Sequence, residues 1–173
     1  CFEVMDNEVV VVDGQTTPQT WDGAAGATSN ITSPAADWSS TNQPKFVIKH
    51  GRGASERMWY FGVATHEEVF YYSANGAMKT VTGAGTGTIN IETGDGFGIV
   101  GAFEFGDRLF GVGKRKVYQI EDTDSSTSNW GYDAAAWEGG AAHHWLIAKT
   151  PNDVVMMAED GEIFSVTAAQ SYG

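Results

Sequence analysis

The sequence predicts an all-β fold of antiparallel blade repeats about 45–50 residues long, which is a β-propeller or a part of one. Similar strand and turn patterns recur at a nearly constant spacing, with second strands that start near Val9, Met58, Leu109 and Val154. No segment keeps a helical apolar period over several turns, which argues against alternating helices and strands. We therefore predict a single propeller-like domain over residues 1–173, with repeats at approximately 1–45, 46–96, 97–142 and 143–173.

The first repeat contains three predicted strands and a long loop. The strands are Phe2–Met5, Glu8–Val12 and Thr20–Trp21. Because Val9–Val12 is a continuous apolar run, we expect a strand that is buried on both faces. Residues 24–44 are rich in Ala, Gly, Ser, Thr and Asn, so they predict a surface loop with room for a short edge strand.

The second repeat has the clearest strand pattern. Its strands are predicted at Phe46–Lys49, Met58–Val63, Glu68–Ser73 and, as an outer strand, Thr88–Ile91. A Gly51-Arg52-Gly53 turn separates the first two strands, and Asn75-Gly76 is a strong turn signal after the third. The segment therefore predicts a four-stranded antiparallel sheet.

The third and fourth repeats follow the same plan. Their strands are predicted at Phe97–Phe105, Leu109–Val112, Val117–Ile120, His144–Ala148, Val154–Ala158 and Ile163–Val166. Val154–Met157 is a second continuous apolar run, again typical of a strand buried on both faces. Residues 122–141 are polar and then Ala-rich, and Asp133–Trp137 within them predicts a single helical turn.

Charge and composition exclude several function classes. A net charge of −12 should repel nucleic acid and anionic membranes. With Cys1 as its one cysteine the chain forms no internal disulfide, and no apolar run reaches the roughly 18 residues of a membrane span. Because the chain opens at Cys1 within a strand pattern and ends just after another, we expect a piece of a longer polypeptide or a mature fragment.

No motif predicts catalysis, a cofactor or a metal site. His143 and His144 are adjacent in a predicted strand and point to opposite faces, so they do not suit a single metal ion. The acidic run Glu121–Asp124 lacks the glycine and the distal glutamate of a calcium loop, and it predicts a solvated turn. Asp95 and Asp160, each beside glycine, predict turns. We therefore expect a protein that is not an enzyme.

Tryptophans and one basic hairpin are the candidate contact residues. Trp38, Trp130 and Trp137 lie in predicted loops and suit a ligand or a protein interface, whereas Trp59 and Trp145 lie in predicted strands and suit the core. Lys114, Arg115 and Lys116 form a basic cluster at the tip of a predicted hairpin. This basic hairpin suits either an inter-subunit salt bridge or a solvated turn.

The order of short motifs along the chain resembles the propeller-like region of bacteriophage virion proteins of the tail nozzle, tail tube and head-to-tail connector. The motifs are Pro18-x-x-Trp21-Asp22-Gly23, Trp59-Tyr60-Phe61-Gly62, Val69-Phe70-Tyr71-Tyr72-Ser73, Leu109-Phe110-x-x-Gly113-Lys114-Arg115-x-Val117-Tyr118 and Asp160-Gly161-x-Ile163. One departure concerns the arginine that usually stands just before the second strand of this repeat pattern. In the second repeat, this chain has two arginines near that place, Arg52 and Arg57.

The resemblance implies a structural, non-enzymatic role in the virion, in a ring of copies that contacts other tail or neck proteins. The acidic charge is consistent with this role, because a wall that lines a DNA path should not hold phosphates. A carbohydrate-binding or glycan-cleaving β-propeller is the alternative, and a bacterial surface module is a third. We also expect the terminal strands Phe2–Met5 and Ile163–Val166 to be completed by more of the same polypeptide or by neighbouring subunits.

Overall fold

The computed structural model describes residues 1–51 and 55–172, and it describes only the backbone of 135–137 and 170–172. Arg52 and Gly53 of the predicted turn lie outside the described residues. The chain divides into two compact units, Cys1–Asn90 and Ile91–Gly173. The prediction of an all-β fold with antiparallel sheets is confirmed, because strands in four antiparallel sheets make up most of the regular secondary structure.

The first unit contains two four-stranded sheets, each an antiparallel meander in which strands that follow one another in sequence are hydrogen-bonded. The first sheet consists of β1 (Phe2–Met5), β2 (Glu8–Val11), β3 (Gln19–Trp21) and β4 (Ser29–Asn30). The second sheet consists of β5 (Phe46–His50), β6 (Arg57–Phe61), β7 (Val69–Tyr72) and β8 (Gly87–Asn90). The predicted outer strand of the second repeat and the short edge strand of the first are therefore both present.

The second unit contains the third and fourth sheets and ends in a short helix. The third sheet consists of β9 (Gly101–Phe105), β10 (Arg108–Val112), β11 (Lys116–Glu121) and β12 (Gly131–Glu138). The fourth consists of β13 (Ile147–Lys149), β14 (Val154–Met157) and β15 (Ile163–Ser165), followed by α1 (Val166–Tyr172). Single turns of 3-10 helix in this unit lie at Thr127–Asn129 and His144–Leu146.

Two tight hairpins use the same backbone chemistry. Asp6 and Asn7 join β1 to β2 with φ values of 51° and 62°, and Gly106 and Asp107 join β9 to β10 with 58° and 60°. Two successive residues with positive φ form the turn whose twist matches that of antiparallel strands, and Gly, Asn and Asp tolerate this conformation best. The turn sequences therefore set the register of both hairpins.

Two sequence predictions about local structure are wrong, and one helix was not predicted. The helical turn at Asp133–Trp137 is instead part of β12, where Gln119 pairs with Asp133 and Tyr118 with Ala134. Pairing with β11 outweighs the weak helix preference of alanine, which is only a prior. The strand predicted from His144 is a 3-10 turn followed by β13, and α1 was not predicted at all.

Aromatic rings fill the core between the two sheets of the first unit. Trp38, from the long loop between β4 and β5, packs edge-on against Tyr60 and Tyr71, with both ring centroids at 5.4 Å. The Tyr60 hydroxyl donates to the Met78 carbonyl oxygen at 2.7 Å, and the burial of Tyr60 raises the pKa of its phenol. The buried cluster also contains Met5, Val10, Val12, Ile31, Ala35, Val47, Met58, Val63, Met78 and Val81.

A second core lies between the sheets of the second unit. Phe103 and Phe110 stack at 5.1 Å with an interplanar angle of 18°. Buried aliphatic residues complete this cluster, namely Val112, Val117, Ala141, Val154, Met156 and Val166. Val166 begins α1, so the helix contributes to the core through its first residue.

Replacing Trp38 with alanine should destabilise the first unit strongly. The ring is only 8% exposed and packs on two tyrosines, so Trp38→Ala should lower the free energy of unfolding by about 3–5 kcal/mol. Trp145→Ala is the matched control, because that side chain is 81% exposed and its loss should cost no more than about 0.5 kcal/mol. Urea denaturation of both variants measures the difference, and equal effects would contradict the structure.

The carboxylate of Asp153 should hold the start of α1 in place. It accepts hydrogen bonds from the Thr167 backbone N–H, the Ser165 hydroxyl and the Val154 N–H, and these bonds hold its pKa below the ordinary value of 3.8. The ionised Asp153 carboxylate therefore stabilises the folded state fully at pH values above the unfolded-state pKa. This stabilisation is lost as the pH falls through the lower pKa of the folded state. Asp153→Ala should speed amide hydrogen exchange within Val166–Tyr172. Asp160→Ala serves as the control, and unchanged exchange in α1 would count against this anchor.

Candidate interaction surface

The outward side of the first sheet carries a continuous apolar surface. Antiparallel pairing places Phe2 opposite Val11, Val4 opposite Val9, and Val9 opposite Trp21. Residues directly opposite one another across antiparallel strands share a face of the sheet. These five side chains, which we call the outer face, therefore form two adjoining rows across β1, β2 and β3.

The outer face is open to solvent, whereas the other side of the same sheet is buried. Phe2 is 69% exposed, and Val4, Trp21 and Val11 are 42–44% exposed. Val9, on the strand between Val4 and Trp21, is half-buried. On the opposite side, Met5, Val10, Val12 and Thr20 are at most 3% exposed. Glu3 and Glu8 are also on this opposite side and are half-buried. The first sheet thus carries apolar side chains on both sides, and only one of these apolar surfaces is covered within the first unit.

Hydrogen bonds position the indole of Trp21 and border the outer face with polar groups. The Trp21 Nε1–H donates to the Ala24 carbonyl oxygen at 2.9 Å, and the Ala24 N–H donates to the Asp22 carboxylate at 2.9 Å. Beyond β3, the Gln19 side-chain amide donates to Asn30 Oδ1 and accepts from the Thr28 hydroxyl. The apolar surface therefore ends at an amide border on the β4 side.

Carboxylates lie at both ends of the outer face. Asp6 and Asp22 are exposed at one end, and Asp13 is exposed at the other. None of the three forms an ion pair with a described residue. The Thr16 and Gln15 backbone N–H groups donate to Asp13 and lower its pKa, so this carboxylate stays ionised into the acidic range.

One cation lies close to this border. The exposed Lys45 side chain passes over Gly14, which has a φ of 77° and leaves no room for a Cβ atom there. Gly14 directly follows Asp13 in the chain, so a basic residue contacts the segment that holds this carboxylate. Residues 1–44 nevertheless contain six Asp or Glu and no Lys or Arg, so the first sheet and its loops are acidic.

Trp38 does not belong to any surface, and this corrects the expectation that it serves an interface. Its ring is 8% exposed and lies in the core with Tyr60 and Tyr71. A loop tryptophan was expected to meet a neighbouring subunit because loops are normally solvated. Here the loop folds back over its own unit, and the ring fills space that the two sheets leave between them.

The other two loop tryptophans are not part of the outer face either. Trp130 is half-buried, and its Nε1–H donates to the Asp124 carbonyl oxygen at 2.8 Å. Trp137 lies in β12, and its side chain lies outside the described residues. Their part in an interface stays a prediction.

The basic hairpin is partly occupied by contacts within its own unit. Lys114 Nζ lies 2.5 Å from a Glu159 carboxylate oxygen and 4.6 Å from the centroid of the Phe97 ring. The Arg115 guanidinium lies 5.4 Å from the same ring centroid. Arg115 and Lys116 are exposed, so an inter-subunit ion pair stays a prediction for these two residues.

Sequence reasoning missed the outer face and misplaced two tryptophans, Trp38 and Trp145. Val9–Val12 was expected to be buried on both faces, but Val11 is exposed and Val9 is half-buried. The signal was present in β1 and β3, because Phe2, Val4 and Trp21 share one side of the pleat. Trp59 is fully buried as predicted, whereas Trp145, also predicted for the core, is 81% exposed on the 3-10 turn.

The polar candidates serve local structure. Among the described residues, no group of three His, Cys, Asp or Glu side chains suits a metal ion. His143 accepts from the Trp145 N–H, and burial together with the neighbouring His143 charge lowers the pKa of His144. Asp124 accepts from the Ser126 N–H, which lowers the pKa of its carboxylate. Asp95 and Asp160 each accept a backbone N–H two residues later, and this confirms their roles in turns.

One open groove of about 360 Å³ occurs in the first unit. Asp6, Glu8, Thr32, Gly76, Ala77, Met78, Lys79 and Thr80 line it. The Lys79 ammonium is 2.6 Å from a Glu8 carboxylate oxygen, so the strongest charges of the groove neutralise each other. The Asp6 carboxylate also lines the groove and is exposed.

No protein-family model matches this chain, and no curated protein is significantly similar to it. The resemblance to phage virion proteins therefore stays a prediction from the motifs quoted above. Within the described part of the chain, no helix combines the length and the apolar character that a membrane crossing requires.

A double-mutant cycle should show that the Lys114–Glu159 pair is a weak surface interaction. The Glu159 side chain is half exposed, so the coupling energy should be about 0.2–1 kcal/mol and should fall as salt screens the charges. Unfolding measurements on Lys114→Ala, Glu159→Ala and the double variant determine this energy, with Lys116→Ala and Glu159→Ala as the control cycle. A coupling well above this range would show that the contact does more than join two surface charges.

Proposed function

We propose that this chain is a structural component of a bacteriophage virion, a propeller-type domain of the tail or neck that acts through protein contacts and performs no catalysis. The observation that carries the proposal is the outer face. It is a solvent-exposed apolar surface on a sheet whose other side is already buried.

The sheet plan supports a propeller-type assembly. Each of the four sheets is an antiparallel meander of consecutive strands, which is the blade topology of a propeller. Blades of this kind stack face to face, so a sheet with two apolar faces needs two covers. The outer face of the first sheet is the side on which a neighbouring protein of the assembly would pack.

The energetics favour covering this surface. Covering Phe2 and Trp21 alone would remove on the order of 200 Å² of apolar surface from water. At about 25 cal/mol per Å², this is worth roughly 5 kcal/mol before the costs of association. A contiguous exposed apolar surface bordered by polar residues is typical of protein interaction sites.

The charge of the chain also fits a virion wall. A net charge of −12 disfavours contact with phosphates, which suits a component beside the path of the viral DNA. The motif order that resembles tail and neck proteins supports the same assignment. The ring of copies and the neighbouring tail proteins are part of this proposal.

Carbohydrate binding is the second candidate, and one observation favours it. Trp145 is 81% exposed, and the His143 ring stacks beside it at 6.4 Å with an interplanar angle of 15°. A flat exposed aromatic surface is a suitable platform for a sugar ring. No second exposed tryptophan accompanies it among the described residues of the fourth sheet, so the outer face carries more weight.

Labelling of intact particles tests the virion proposal. Gold-tagged antibodies against this chain should mark one position at the tail or neck of phage particles purified from cells that carry its gene. A glycan array probed with the purified protein and with Trp145→Ala tests the alternative. Unlabelled particles would contradict the proposal, and glycan binding that is lost in Trp145→Ala would replace it with the second candidate.

A further inference from the structure

We infer that the outer face is a docking site for a second protein that presents an apolar β-sheet face bordered by Lys or Arg. The inference rests on the proposed assembly role and adds the chemistry of the partner. Two independent observations carry it, the apolar character of the face itself and the sign of the charges at its ends.

The shape of the expected partner follows from the first unit. The outer face holds five apolar side chains on three paired strands and no charged group. The opposite side of the same sheet, which includes Met5 and Val10, shares its core cluster with Tyr60 and Tyr71 of the second sheet. The second sheet therefore covers the inner side of the first sheet. By the same packing, we expect the sheet surface of a partner to cover the outer face.

The charge of the partner follows from the ends of the face. Asp6 and Asp22 lie at one end, Asp13 at the other, and all three are exposed without a described ion-pair partner. Two copies packed through this face would bring these carboxylates together, on chains that each carry a net charge of −12. Lys or Arg at the partner's margins would instead face opposite charges, which speeds association and selects the partner.

Other occupants satisfy only one of the two observations. The basic hairpin of another copy would bring charge, but residues 113–116 carry no apolar side chain, and Lys114 already pairs with Glu159. An anionic membrane would cover apolar side chains, but its surface repels carboxylates. A protein with an apolar centre and basic margins satisfies both.

Two synthetic disulfide-closed β-hairpin peptides are suitable probes. Both carry Val and Phe on one face, and they differ only in Lys or Glu at the margins. We expect the Lys hairpin to bind at least about tenfold more tightly than the Glu hairpin, with an affinity that falls as salt rises from about 50 to 300 mM. Fluorescence anisotropy of the labelled peptides measures both affinities.

Variants of the chain test the site. Phe2→Ser combined with Trp21→Ser should reduce Lys-hairpin binding about tenfold or more, whereas Trp145→Ser, the matched control, should leave it unchanged. Asp6→Asn combined with Asp22→Lys keeps the apolar side chains and should shift the preference toward the Glu hairpin. Circular dichroism checks that each variant is folded. If Phe2→Ser combined with Trp21→Ser does not fold, the binding preference of the charge variant alone tests the inference.

Several results would overturn the inference. They are equal affinity for the two hairpins, binding of neither, or binding that survives in Phe2→Ser with Trp21→Ser. A concentration-dependent dimer in sedimentation that this variant abolishes would assign the face to a second copy. Binding to phosphatidylcholine–phosphatidylglycerol vesicles, lost in the same variant, would assign it to a membrane. Lys-hairpin binding together with unlabelled virions would contradict the virion role and leave the docking site standing.

Discussion

Sheets with apolar side chains on both faces impose the main constraint on this molecule, because each such sheet requires a cover on either side. In the second sheet, Trp59 and Phe61 on one face and Tyr60 and Tyr71 on the other are all at most 2% exposed. The first sheet has the same two-sided character, but its outer face is left in solvent. Since burial of apolar surface is the largest favourable term in folding and association, this face is where a partner gains most.

Trp38 illustrates how the need to cover apolar sheet faces places a loop side chain in the core. The loop between β4 and β5 could have displayed the indole to solvent, yet the ring completes the aromatic contacts of Tyr60 and Tyr71. With that tryptophan in the core, the large exposed apolar side chains of the first unit belong to the first sheet. Flat sheet surfaces, more than loop tips, are therefore the natural contact regions of this unit.

Strand positions were predictable from the sequence because turns and apolar runs mark them locally. Asp6-Asn7 and Asn75-Gly76 separate strands near their observed ends, and each predicted repeat contains one sheet. The strand at β12 escaped prediction because its pairing with β11 is a long-range property that an alanine run does not reveal. The candidate site escaped for a similar reason. A run such as Val9–Val12 shows which residues are apolar, but not whether a second layer covers the outer side of the sheet.

Hydroxyl-radical footprinting with mass spectrometry tests the central claim most directly, because it reads the exposure of individual side chains in free and assembled protein. Phe2 and Trp21 should be labelled readily in the isolated chain and strongly protected in the intact particle, whereas the buried Trp59 should be protected in both. Equal labelling of Phe2 and Trp21 in the two states would contradict the claim that the outer face is covered by a partner. Protection of both residues in the isolated chain would contradict the structure on which the claim rests.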